Sequence, residues 1–131
     1  LAQFQDGKTI YESICIGCHQ ADGNGLNLVA PPLRKSEWVT GDPVRAIKIV
    51  LCGLEGPITV AGKTYQVPDI QPVMPGLKDS PEFDDQKLAA VLTYVRNAWG
   101  NKASPVAAKD VSAQRAILKD RSEPFAAEDL Q

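Results

Sequence analysis

Five consecutive residues, Cys15-Ile16-Gly17-Cys18-His19, constrain this chain of 131 residues more than any other stretch. Cys-x-x-Cys-His is the attachment signature of a c-type haem. Two thiols three apart on one turn of helix can each form a thioether to a vinyl group of a single porphyrin. The histidine that follows then falls beneath the iron as an axial ligand. Two other chemistries use paired cysteines. A structural zinc ion needs four ligands, usually as two separated pairs, and only Cys52 remains here, with no second histidine. A thioredoxin-like redox pair sits beside a βαβ pattern, whereas these flanks read as helix and loop. The motif points to one covalent haem c per chain.

Elimination identifies the opposite ligand. The chain has one His and one Met, so with His19 committed, Met74 is the candidate, in Pro72-Val73-Met74-Pro75-Gly76. Pro75 pushes Met74 out of the α region, and Gly76 lets backbone approach a ligand closely. A stiff extended loop of this kind presents a thioether to a flat face. Methionine is otherwise a common core filler, a role that suits a lone Met between prolines poorly. His/Met ligation accompanies electron transfer and raises the reduction potential. A ligating histidine also gives its other ring N–H to an acceptor; Pro31, in Ala30-Pro31-Pro32-Leu33, is the expected carbonyl, and Leu33 is expected to pack on the macrocycle. For the propionates the candidate partners are Arg34, Arg45, the indole N–H of Trp38 and Tyr65.

A chain this short has room for one core. The formal net charge is −2, with no basic face of the size nucleic acid requires. No apolar run approaches membrane-spanning length, and nothing reads as a signal peptide. Haem attachment nevertheless takes place outside the cytoplasm, so a periplasmic or otherwise exported location is expected. Because the chain starts at Leu1, a processed protein or a piece of a longer one is expected too.

In order, Asp6 to Cys15 reads as the first helix, capped by Asp6, with Ile10, Tyr11 and Ile14 on one face. Asp42 followed by Pro43 starts a helix that runs to about Cys52 and ends at Gly53. Cys52, on the apolar side, reads as a buried inert thiol. Ile58-Thr59-Val60 and Lys63-Thr64-Tyr65, around Ala61-Gly62, read as a small hairpin ahead of the Met74 loop. Asp84 caps the clearest helix, with Leu88, Val91, Leu92, Val95 and Trp99 inward, Lys87, Thr93 and Arg96 on the polar face, and Gly100 closing it. Residues 101 to 109 read as an exposed connection, and 110 to 121 as a short helix. The acidic end at Glu128-Asp129-Leu130 either lies back on the body with the rest of the tail or leads to a linker or partner.

With Cys15, Cys18 and His19 near the start, Pro31 and Leu33 after a glycine-containing loop, Met74-Pro75, and a C-terminal helix, the chain resembles the class I c-type cytochromes. The resemblance covers roughly residues 5 to 100, a domain of residues 1 to 100 with 101 to 131 as an extension. It implies an all-α fold of four or five helices around one haem, and helix contact through Gly7, Tyr11 and Tyr94. It also implies electron transfer between redox protein partners, a dehydrogenase donor and an oxidase or reductase acceptor, rather than catalysis. Residues 51 to 58 and 88 to 101 are similar to a subgroup in which the cytochrome is a domain or subunit of a larger oxidoreductase, such as a quinoprotein dehydrogenase. A free monomer, a haem domain of such an assembly, and a haem enzyme with an open sixth position remain the alternatives.

Overall fold

The computed structural model describes residues 2–130. The first helix, α1, covers Ala2–Ile10, continues through a wide π-type turn at Tyr11–Cys15, and tightens again into α2, Ile16–His19. It therefore begins four residues before the expected cap, and Asp6 lies inside it, exposed. Tertiary contacts hold that extra turn. Phe4 packs 5.0 Å, centre to centre, from the Tyr94 ring, and Gln3 Nε2 donates to the Val106 carbonyl at 2.7 Å.

Two short helices follow a loop, α3 at Glu37–Thr40 and α4 at Pro43–Cys52. The Asp42 carboxylate accepts from the Val44 N–H at 2.9 Å, and Pro43 occupies the first turn, where its missing N–H costs nothing. Ala46, Ile47, Val50 and Leu51 form the buried side of α4. At Gly53, φ is +90° and a Cβ would strike the Met74 carbonyl, so glycine both ends α4 and lets the Met74 segment close in.

The chain is not purely helical, which amends the all-α expectation. β2, Ile58–Val60, and β3, Lys63–Tyr65, pair antiparallel around Ala61–Gly62. A second sheet was invisible in the sequence. β1, Gly53–Glu55, has β4, Val73–Pro75, on one edge (antiparallel) and β5, Phe125–Ala126, on the other (parallel). Strands of two or three residues show no alternation long enough to read.

Helix α5, Asp85–Val95, crosses α1 at Gly7, where any Cβ would collide with the Ala90 carbonyl and the Tyr94 Cβ. Asp84 caps α5 by accepting from the Lys87 N–H. The expected polar face is overturned: Thr93 and Arg96 are buried, only Lys87 being exposed. Residues 101–107 and α6, Ala108–Ile117, cover that side. The connection is likewise not simply exposed, since Asn101 and Val106 are buried. Asn101 Nδ2 donates to the carbonyls of Leu33 and Val95, and its Oδ1 accepts from the Lys35 N–H. α5 ends before Trp99, whose indole donates to the Ala21 carbonyl at 2.7 Å. The chain closes with a 3-10 turn at Ala127–Leu130.

Candidate haem site

One apolar cavity of about 300 Å³ lies between α2, the loop after it, β4 and α5. Cys15, Cys18 and His19 form one wall. Pro31 and Leu33 adjoin them, Met74 and Leu54 face from the sheet, and Val91, Leu92 and Val95 of α5 close the back. Local geometry explains the first wall. The wide turn at Tyr11–Cys15 shifts the helical register just before the motif, a feature that recurs at functional sites. The buried Tyr11 hydroxyl then donates to the Gln20 carbonyl at 2.6 Å and fastens the helix end on which His19 sits.

Burial in this apolar setting pulls His19 below its ordinary pKa, with the backbone carbonyl of Pro31 acting in the opposite sense. Burial thus favours the neutral imidazole, the form a metal ligand needs. Its Nδ1 is buried and makes no hydrogen bond of normal geometry. Burial, and then the neighbouring Cys18, push the Cys15 thiol up to about 11. Both motif cysteines are free thiols, as is half-buried Cys52, which packs at the edge of the main core. Met74 is half-buried in β4, directly opposite Leu54.

The other predicted residues divide. Leu33 and Trp38 line the cavity, but the Trp38 N–H is already engaged by the Thr59 carbonyl at 2.7 Å, which ties the aromatic to the hairpin. Arg45 lies outside the lining; its guanidinium stacks 4.3 Å from the Trp38 ring centre and donates to the Glu37 carbonyl. Arg34 is exposed and away from the cavity wall, because Leu33 takes the inward position beside it. Tyr65 belongs to a separate polar hollow next to Lys63, whose ammonium sits 5.0 Å from the ring centre. Sequence reasoning missed Leu54, Ile58, Val60 and Ile70 as lining residues. Only the hairpin prediction touched any of them, because apolar residues in short strands give no sign of which surface they meet.

The donor set, a neutral imidazole and a thioether across an apolar cavity with two free thiols on its wall, fits a covalently attached haem. Comparison with known proteins agrees. The model of the cytochrome c family matches residues 4–99. This chain belongs to the cytochrome c family. As a class I c-type cytochrome it carries covalently bound haem c and serves electron transport. It is similar to cytochrome c-552 of Thermus thermophilus, 33% identical over 121 residues that cover 85% of this cytochrome and 85% of that one. It is also similar to the cytochrome c subunit of the quinone alcohol dehydrogenase of Gluconobacter oxydans, 33% identical over 111 residues and 83% of the chain. A third relative is the gluconate 2-dehydrogenase cytochrome c subunit of Pantoea cypripedii, 29% identical over 127 residues and 85% of the chain. The cytochrome spans only 22% and 24% of the lengths of these two subunits. Among the described residues, no helix is long and apolar enough to cross a membrane.

Proposed function

We propose that the chain is a one-electron carrier in which a single haem c is joined to Cys15 and Cys18, with its iron held between His19 and Met74. The observation that supports this most is that these four side chains line one and the same apolar cavity. Bound there, the haem supplies a one-electron iron couple. His19 would supply the imidazole ligand, and the neighbouring Pro31 carbonyl would orient the ring through its other N–H. Met74, on the facing wall of the cavity, would supply the second ligand and so leave water and substrate no coordination position. The aliphatic wall of Val91, Leu92 and Val95 keeps the surroundings dry, which favours the less charged state and raises the potential. Leu33, on the cavity wall, would pack against the macrocycle. Fixed ligands in an apolar setting would keep the reorganisation on each transfer small.

The partners this reading implies are redox proteins that meet the chain in the periplasm or a comparable exported compartment, through small encounter surfaces. A second reading, a haem domain within a larger dehydrogenase, oxidase or reductase, is favoured by relatives that are much longer subunits of named dehydrogenases. The chain would then pass electrons onward from a neighbouring catalytic unit.

Met74→Ala tests the central claim. Ferric wild-type protein should show the weak far-red absorption band of iron–thioether bonding, and its ferrous form should bind carbon monoxide slowly. The variant should lose the band, drop in potential and bind carbon monoxide rapidly. An unchanged potential would contradict the ligand assignment, and a wild type that already binds carbon monoxide rapidly would point to a haem enzyme with an open sixth position.

A further inference from the structure

Residues 101–130 lie beyond the span matched by the family model, yet they are wired to the strand that carries Met74. That strand has few bonds of its own to hold it. Pro68, Pro72 and Pro75 lack N–H donors, and Gln71, Pro72, Val73 and Pro75 are exposed. Among the described residues β4 pairs only with β1, and β5 of the extension pairs with the other edge of β1, so that Leu54 stands opposite Met74 on one side and Phe125 on the other.

A second tie follows four residues after Met74. The N–H groups of Leu77 and Lys78 donate to the carbonyls of Val50 and Leu51, each at 2.9 Å. The Lys78 ammonium then donates to the carbonyls of Leu118 at 2.9 Å, of Lys119 at 3.2 Å and of Arg121. All three of its donors are matched. They meet the C-terminal end of α6, where free carbonyls and the helix dipole favour a cation. Arg121 in turn donates from Nε to the Glu123 carbonyl at 2.9 Å and from Nη2 to that of Pro124 at 3.0 Å. Its guanidinium stacks 3.8 Å from the centre of the Phe125 ring. The path closes on itself: Met74, Lys78, the end of α6, Arg121, Phe125, β1 and back to Met74.

We propose that this closed path is a brace that positions the Met74 thioether, with Lys78 as its positioning residue, so that the C-terminal extension controls how often the sixth coordination position opens. The proposal rests on Met74 being the axial ligand. Its consequence is quantitative. An added ligand binds the iron only while Met74 is away, so its apparent affinity is its intrinsic affinity scaled by the open fraction. A looser brace raises that fraction without altering any group that touches the iron.

The test is an imidazole titration of the ferric holoprotein, followed by loss of the far-red band. Lys78→Gln should bind imidazole about tenfold more tightly than wild type, the size typical of losing a group that orients a metal ligand. Lys78→Arg, which keeps charge and donors, should remain close to wild type. Asp85→Asn serves as the structural control, because it removes the Arg115–Asp85 ion pair, 3.1 Å, between α6 and α5 without touching the Met74 segment. It should leave imidazole affinity unchanged even where it lowers stability. A wild type with the band and a Lys78→Gln variant of unchanged affinity overturn the brace alone; a wild type without the band overturns the ligand and the brace together. Should Lys78→Gln fail to accumulate as holoprotein, hydrogen exchange on the wild type decides. Saturating imidazole should deprotect the amides of residues 118–126 together with those of 73–78, and protection unchanged over 118–126 overturns the proposal.

Discussion

Gly7 shows how much one missing methyl group fixes. Alanine is worth about 1 kcal/mol more than glycine in a helix interior, yet here its Cβ would meet backbone, the Ala90 carbonyl, which cannot swing aside. Gly7→Ala should therefore destabilise the protein by about 1–3 kcal/mol, as overpacking does. A urea titration would check this, and a stabilised variant would mean that the helices slide apart freely. His19 and Met74, which both line the cavity, stood out as candidates for a different reason: each is the single residue of its type in the chain. Arg34, Arg45 and Tyr65 had no such mark, and the contacts that engage Arg45 and Tyr65 are cation–π and backbone carbonyl contacts that residue type does not announce.

Among the elements, α5 was located correctly by its cap and spacing but misjudged on one face. Arg96 is 2% exposed and keeps its charge without any carboxylate in hydrogen-bond contact. Nη1 donates to the carbonyls of Val39 at 2.7 Å and Gly41 at 3.0 Å, Nε to that of Ser104 at 2.9 Å, and Nη2 to the Ser104 hydroxyl at 3.2 Å. It thus pins the end of α3 and the connection after α5 to one helix end. Burial lowers its pKa, with Asp42 pulling the other way. Arg96→Met would leave the buried Val39 carbonyl unpaired and should cost about 1–3 kcal/mol. Arg96→Lys should recover little of this, because an ammonium lacks the planar fork that reaches both sides. Urea midpoints for the two variants test both statements, and a fully rescued Lys variant would show that charge alone matters. By contrast, Asp42→Ala removes a single exposed cap and should cost about 1 kcal/mol.

At the scale of the molecule, the main hydrophobic cluster gathers α1, α4, α5 and α6 on one side of a cavity of about 300 Å³. A smaller cluster of Trp38, Ile58, Val60, Ile70 and Ala127 carries the hairpin on the other side. Residues of both line the cavity, so a haem bound there would join two half-cores. Blocking attachment with Cys15→Ala and Cys18→Ala together should broaden thermal unfolding and weaken near-ultraviolet circular dichroism while much helix remains. Sharp, cooperative melting of the haem-free double variant would contradict that dependence.

The amino-acid order alone determined the chemistry and the main helices. Attachment needs two thiols and an imidazole at fixed spacing, and caps and apolar spacing are local signals carried by neighbours in the chain. Only the folded chain decided where the C-terminal extension lies. A two-residue strand pairing with β1, an ammonium over the end of α6 and the burial of Arg96 all depend on backbone groups being met from 40 or more residues away. Backbone carbonyls are the same at every position, so nothing in the letters of the sequence marks which ones will be used.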